Sequence, residues 1–359
     1  MSLAGFIAPA CVYALVMVLH LVIPARTVDG YVVSPATGKP YRYRLNGLVV
    51  YGAVIGLWAL ACSSGWLAWD FFWQTRFEGL AGACAIGLVF TLAVVLPAPA
   101  TGKGLLADLY LGRIENPQWL GGRVDAKMWL YLVGATMLGL NVYSFTAHHL
   151  LSFPDDPSPG VVVYAGLFTF FLAEYLFFER VHLYTYDFFA ERVGFKLGWG
   201  CLCFYPFFYA IGLWFVADSP NPQMPVALQV ASVIVFFLGW CLARGANMQK
   251  YAFKRDPSAK FLGLIAPEVL SDGTHKLLAN GFWGVSRHVN YLGEFLMATG
   301  LALALGYPGS IGPWLYPLYY VALLVPRQID DDRRCALKYK ALWDDYVKRV
   351  PYRIVPGVY

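Results

Sequence analysis

The chain has 359 residues, of which 58% are hydrophobic and only 14% charged, with a formal net charge of +5. Soluble domains carry about 45–50% apolar and about 25% charged residues, so this balance excludes an ordinary soluble globule and requires much of the surface to face lipid. The positive charge is sorted by position along the chain, so it points to membrane orientation and no nucleic-acid partner is expected.

Crossing about 30 Å of hydrocarbon takes about 20 apolar helical residues. In chain order, apolar runs at 3–24, 47–69, 79–98, 129–151, 160–178, 198–217 and 224–243 meet that length, and runs at 289–306 and 312–326 follow. They are continuous rather than alternating, which selects helices over a barrel. The first run lacks the basic start of a secretory leader and reads as a span. The expected fold is all-α: a polytopic transmembrane helical bundle of about 9–10 spans in a single membrane domain, 1–359. The last of these would be a re-entrant or broken helix near 276–290.

Connections 25–46, 99–128, 179–197, 244–288 and 327–359 hold all of the 27 basic residues except Arg76. The intervening connections read DFFWQTRFE, SFPDDPSPG, ADSPNPQ and YPGSIG. By the positive-inside rule the basic set faces the cytoplasm, with the N-terminus outside and the C-terminus cytoplasmic. The membrane would be the endoplasmic reticulum in a eukaryote or the inner membrane in a bacterium. Topology signalling and contact with anionic membrane lipid account for 25–46 and 179–197. Cys335 excepted, the 7 cysteines lie in apolar stretches, and no C-x-x-C pair suggests a metal. G-x-G-x-x-A at Gly102, Gly104 and Ala107 follows a span, not a strand, so it is no dinucleotide fingerprint.

Three polar stretches remain. RGANMQKYAFKRDPS, 244–258, places Asn247, Lys250, Tyr251 and Lys254 near one helical face. Two lysines one turn apart are either a snorkelling helix end or a phosphate clamp. KLLANGFWGVSRHVNYLGEF, 276–295, sets Arg287, His288, Asn290 and Glu294 beside Trp283 and Tyr291 at the start of an apolar run. Ionisable groups entering a bilayer are costly and mark a site. The mixture suits a nucleotide: rings to stack, an amide for a carboxamide or base edge, a guanidinium for phosphate. PRQIDDDRRCALKYKALWDDYVKRVPYRIVPGVY, 326–359, puts Asp331, Cys335, Lys338 and Tyr339 at i, i+4, i+7 and i+8, with Tyr346 two turns further on the same helical face. An amphipathic helix lying on the membrane gives the same stripe.

Together these segments resemble the sterol C=C double-bond reductases, a family that includes Δ14-, Δ7- and Δ24(28)-sterol reductases and the lamin B receptor membrane domain. FWGVSRHVNYLGE is similar to the family's G-[FW]-W-G-x-x-R-H-x-N-Y-x-G-[DE], and ANMQKYAFKRDP to A-N-x-Q-K-x-x-F-R. CALKYKALWDDYVKRVPYRIVPGVY is similar to C-x-x-K-Y-x-x-x-W-x-x-Y-x-x-x-V-P-Y-R-[IL]-x-P-x-[IVF]-[YF]. YRYRLNG at 41–47 and GRIENP at 112–117 are looser matches to Y-x-x-N-G and G-x-E-x-N-P. The resemblance implies N-terminal spans in 1–160 and a catalytic half, 161–359, with an NADPH pocket facing the cytosol. The implied contacts are Lys250, Lys254, Leu278, Trp283, Asn290, Tyr291, Asp331, Cys335, Lys338, Tyr339 and Tyr346, to which the charge reading above adds Arg287. A sterol would enter a second, apolar pocket sideways from the bilayer.

The chain departs from the family pattern at several positions. Lys254 replaces an arginine, Val289 the proline of H-P-N-Y, and Asp330–Asp332 an R-D-E triplet. A helix carrying Y-x-x-D in Δ14 and Δ7 enzymes reads Phe171 to Glu174, so a candidate proton donor of the family is missing. This leaves Δ14, Δ7 and Δ24 open as the reduced bond. The implied chemistry is ionic reduction of an isolated alkene: an acid protonates one carbon and NADPH returns hydride to the cation, in a pocket dry enough to exclude water. The acid must be a tyrosine or a carboxylic acid kept protonated by burial. Tyr209 and Glu174 are preferred, with Tyr175 and Asp331 as further candidates. Two alternatives are a non-catalytic sterol-binding protein and an isoprenylcysteine methyltransferase-like enzyme using S-adenosylmethionine, whose R-H-P-x-Y-x-G ending is related. The K-Y-x-x-x-W and V-P-Y-R elements favour the reductase.

Overall fold

The structure is a computed structural model describing residues 2–35 and 37–359. Each predicted span falls on a helix: Leu3–Val22, Gly47–Ser63, Arg76–Val95, Ala126–Ser152, Pro159–Phe177, the interrupted run Phe195–Val216, Val226–Arg255, Val289–Ala304 and Ile311–Tyr339. Among the described residues, 6 helices are long and apolar enough to cross a membrane, and Gly47–Ser63 and Val289–Ala304 are shorter apolar ones. The chain is a polytopic helical integral membrane protein.

Two stretches differ from expectation. No re-entrant helix forms near 276–290. Strand Lys276–Leu278 pairs antiparallel with Val269–Ser271, and one 3-10 turn, Gly281–Gly284, follows. The physical reason is local: Gly281 has φ +62°, and the Gln249 side chain fills the space a Cβ there would need. The basic connection 25–46 is also ordered, as the antiparallel hairpin Arg26–Val33 and Pro40–Leu45 with Thr27 opposite Arg44. Tyr43 on this hairpin is buried against Met128, Leu183 and Phe188.

The fold divides into two compact units, Met1–Asn221 and Pro222–Tyr359. In the first, Ala126–Ser152 is the core helix, with 78% of its apolar window buried, against 22% for Val226–Arg255 of the second unit. Helix ends leave carbonyls without intrahelical partners, and here the following segments satisfy them. The Arg44 guanidinium donates to the carbonyls of His20, Leu21 and Ile23 at 3.3, 3.4 and 3.2 Å. Asn46 Nδ2 donates to those of His20 and Ile23 at 3.1 and 3.0 Å. Arg113 does the same for Arg76–Val95, donating to Val95 and Ala98 at 3.2 and 2.7 Å while its Nε holds the buried Asp108 at 2.7 Å. At the other end of the core helix, the His148 ring lies between Asp70 and Asp218, 3.2 and 2.6 Å away, and stacks on Trp73. The run Phe195–Val216 is interrupted by a π-helical turn at Gly200–Phe204 just before Pro206, a widening that often accompanies functional sites.

In the second unit, Val226–Arg255 and Val289–Ala304 meet backbone to backbone. A Cβ on Gly239 would lie 2.6 Å from the Gly293 carbonyl oxygen, and one on Gly300 would lie 2.7 Å from the Phe236 nitrogen. Small residues permit this approach in lipid, where association depends on close packing rather than on the hydrophobic effect. Ile311–Tyr339 stops at Lys340, whose φ of +50° lies in the left-handed region, and Ala341–Arg349 starts anew. Tyr346 is therefore not on a continuation of the Asp331–Tyr339 face, as the spacing suggested. It reaches Cys335 and Tyr339 by tertiary packing, in a cluster with Ala279, Trp343 and Val350.

Candidate functional site

The second unit gathers most of the residues expected at a cofactor. Gln249, 2% exposed, accepts the Phe282 N–H at 2.9 Å and donates to the Asn280 carbonyl at 3.3 Å, fixing the turn that carries Trp283. Trp283 is then held from three directions. Its Nε1 donates to the Ala246 carbonyl at 2.9 Å, its own carbonyl accepts the Tyr346 hydroxyl at 2.9 Å, and Lys250 Nζ lies 5.4 Å from its ring. Gln249 was not singled out from the sequence, although it stands inside the A-N-x-Q-K element; its part is structural support, which spacing alone does not reveal.

Charge converges around Lys250. Asp331, Cys335, Lys254 and Lys338 are within its electrostatic reach, and Lys338 also acts on Lys254. His288 Nε2 lies 3.3 Å from the Asp331 carboxylate. Burial works to raise the Asp331 pKa, but the hydrogen bond and charge of His288, with Lys250 and Arg334, outweigh it and hold the carboxyl below its ordinary range. Asp331 is thus kept ionised, which suits anchoring of cations and argues against its expected part as proton donor. Burial, then the Asp331 charge, pushes the Cys335 thiol up to about 12, so it stays protonated. Tyr291 is buried with its ring 5.1 Å from His288. Lys338 lies 5.0 Å from the Tyr339 ring, whose edge meets His275. Leu278 is buried at the end of its strand, next to Ala279 of the Tyr346 cluster.

Arg287 is the exception among the expected contacts. Only 5% exposed, it donates through one guanidinium nitrogen to the carbonyls of Val350 and Pro351 at 2.9 and 2.8 Å. Its other terminal nitrogen faces Asp332 at 3.3 Å. The backbone N–H groups of Arg287 and His288 donate to the carbonyls of Tyr352 and Arg353. These bonds make Arg287 the frame that seats the C-terminal segment, in place of the phosphate contact expected for it.

Asn290 Oδ1 is buried and has no hydrogen-bond partner among the described residues. A buried unsatisfied acceptor costs about 1–3 kcal/mol, a cost that a ligand N–H would remove. An amide acceptor, clustered lysines and flanking indole and phenol rings fit a nicotinamide dinucleotide phosphate.

The remaining candidates belong to the first unit. Tyr209 packs 4.5 Å from the Tyr205 ring, and its carbonyl accepts the Tyr164 hydroxyl at 3.2 Å. Glu174 is half-buried on Pro159–Phe177. On the same helix the buried Phe171 stacks on Tyr175, whose ring lies 3.9 Å from His182.

Comparison with known proteins gives concordant results. The sequence model of the ergosterol biosynthesis ERG4/ERG24 family matches residues 5–359. The Delta(14)-sterol reductase of Arabidopsis thaliana is 30% identical over 349 residues, covering 94% of this chain and 91% of that one. The Delta(14)-sterol reductase TM7SF2 of Mus musculus is 33% identical over 282 residues, 76% of this chain and 65% of its own length. The Delta(14)-sterol reductase erg24 of Schizosaccharomyces pombe is 31% identical over 337 residues, 90% of this chain and 77% of its own.

Proposed function

We propose, on the premise that this chain belongs to the ergosterol biosynthesis ERG4/ERG24 family, that it reduces the Δ14 double bond of a sterol with NADPH. Membership makes it a sterol reductase, an enzyme of sterol biosynthesis acting on a carbon–carbon double bond, and sets aside the methyltransferase and non-catalytic alternatives. Within the family the choice of Δ14 rests on the names of the relatives above, and it is preferred to the Δ7 and Δ24 options that Phe171 had opened.

Bound NADPH would supply hydride. Lys250, Lys254 and Lys338 would take its phosphates, which clustered ammonium groups bind as charge-assisted partners. Trp283, Tyr291, Tyr339 and Tyr346 would lie against its rings, with Leu278 and Cys335 as wall. Asn290 would accept an N–H from the carboxamide or base. Asp331, kept ionised, would set the positions of Lys250 and His288. In this reading 161–359 is the catalytic half, and its cofactor side and the C-terminus face the cytoplasm in the endoplasmic reticulum of a eukaryote or the inner membrane of a bacterium. The sterol enters from the bilayer. Tyr209 and Glu174 stay as proton-donor candidates from the sequence.

The unpartnered Asn290 oxygen, in the same unit as the lysine cluster, is the observation that carries the cofactor reading. Its test is to incubate purified protein with NADPH or NADH and Δ14, Δ7 or Δ24 sterols and to follow product mass. The expected result is a gain of two mass units on the Δ14 sterol, with NADPH preferred; reduction of another bond only, or reliance on NADH, would reject the assignment.

A further inference from the structure

The polar connection after Val226–Arg255 contains one uncharged apolar stretch, Phe261-Leu262-Gly263-Leu264-Ile265. Phe261 and Ile265 exchange both backbone hydrogen bonds, at 2.8 and 3.0 Å, and the Leu264 N–H donates to the Phe261 carbonyl at 3.1 Å. The result is a tight turn with Leu262 and Gly263 at its centre, at φ +53° and +71°. Turns with two central residues at positive φ favour Asn, Asp or Gly, and a leucine there is strained. Yet Leu262 and Leu264 are 74% and 82% exposed, so packing within the chain does not offset that strain.

The place of the turn is fixed by Phe261, which is buried with its ring 6.3 Å from that of Phe282. The Phe282 ring in turn fills the space that a Cβ on Gly245 would need. Gly245 continues a stripe of Ile234, Leu238 and Cys241 at i, i+4, i+7 and i+11, one face of the helix. Those three are exposed, so this face meets lipid. From Val226 to Gly245 the helix rises about 30 Å, the thickness of the hydrocarbon core, and Arg244 is its first charged residue. The chain also re-enters at this level: Gly293 backs onto the Ala243 nitrogen, about one turn beyond the helix start at Val289. The helix continues about 15 Å further, to Arg255, but the chain then folds back and returns the two leucines to the bilayer boundary on the lipid-facing side. The exposed Lys260 precedes them, a cation suited to the phosphates of lipid headgroups.

We infer that the turn Phe261–Ile265 is an interfacial anchor: Leu262 and Leu264 enter the acyl region of the leaflet that Val226–Arg255 leaves, with Lys260 among its headgroups. The turn continues a surface that already meets lipid. Two side chains fall far short of the about 800 Å² per partner that a stable protein interface buries, so lipid is favoured over a protein as the occupant. Because Phe261 rests on Phe282, the leaflet also braces the turn Gly281–Gly284 that carries Trp283. No assumption about the reaction enters.

The test uses full-length protein in nanodiscs of phosphatidylcholine and phosphatidylglycerol. The photoreactive residue p-benzoylphenylalanine is placed at position 262 or 264, at 238 as the lipid-facing reference, or at 344 as the control in place of the exposed Asp344. After irradiation, intact-protein mass spectrometry counts phospholipid adducts. Positions 262 and 264 should give adducts within about threefold of 238 and at least about tenfold above 344. Leu264 lies outside the left-handed region, so a probe there leaves the turn intact and its result decides. Adducts at 264 no higher than at 344 would overturn the inference. A crosslinked dimer at 264 in place of lipid adducts would also overturn it, assigning the turn to a second copy of the chain.

Discussion

In the segment 26–46, Arg44 and Asn46 direct their donors to the last carbonyls of Leu3–Val22. In the segments around 250 and 338, three lysines crowd together near one carboxylate and several rings. Both regions are basic and both would satisfy a topology rule. The difference lies in where the donors go. Guanidinium groups with fixed forks close off backbone that would otherwise be unsatisfied, whereas ammonium groups kept near one another retain mutual repulsion that an anion relieves. Net charge per loop cannot tell these uses apart; only the allocation of donors can.

Four experiments would break or sharpen this contrast. The largest effect is expected at Arg287, which sits in the ligand region but behaves like the framework arginines. Arg287→Ala should destabilise the second unit by about 3–4 kcal/mol, because it leaves the carbonyls of Val350 and Pro351 without their donor and removes one of the cations that face Asp332. Tryptophan-fluorescence melting would detect it, and an unchanged melt would return Arg287 to the ligand class. Next comes pH. Glu179 is buried and accepts the Gly47 N–H at 3.2 Å, and burial pushes its pKa up to about 7 from an ordinary value near 4.5, so the native state binds more protons than the unfolded one between these limits. Its contribution is fully present below about pH 4.5 and is lost as pH rises through about 7, by up to about 3 kcal/mol. Melts of wild type should fall across that window, and Glu179→Gln should flatten the slope; parallel slopes would show that burial does not hold the Glu179 proton.

Lys250→Ala should weaken NADPH about ten- to a hundredfold, or about 1.4–2.8 kcal/mol, and NADH less if the 2′-phosphate is its partner. Asn290→Ala and Tyr346→Ala should weaken both cofactors. Titration calorimetry with all three behaving as wild type would leave the lysine cluster without a ligand. The smallest effect belongs to Arg44→Ala, about 1–2 kcal/mol of stability with NADPH affinity unchanged; a matching loss of affinity would erase the distinction between the two regions.

Hydrophobic length made the helices legible, since an apolar run in lipid has few other ways to satisfy its backbone. Lys250, Trp283 and Asn290 stood out because their residue types at that spacing suit a nucleotide, and the fold brings Lys250 to the Trp283 ring. What stayed hidden depended on tertiary partners. Arg287 looked like a phosphate ligand until the carbonyls of 350 and 351 claimed it. Tyr346 looked helical with Tyr339 because nothing in Lys340 announces a positive φ. Glu179 sat beside Arg180 in a connection read only for its basic residues, and no periodicity marks a carboxyl that burial leaves with the Gly47 N–H as its hydrogen-bond donor.

The helix-end contacts of the first unit also set an order in time. The carbonyls that close Leu3–Val22 find their partners only when Arg44 and Asn46 have been synthesised, and those that close Arg76–Val95 wait for Arg113. Each helix leaves the ribosome with its last turn unfinished and is completed by a residue about 20 positions later. A chain stalled or cut between a helix and its arginine would hold an inserted segment with an open end, and quality-control proteases would meet it first at that point.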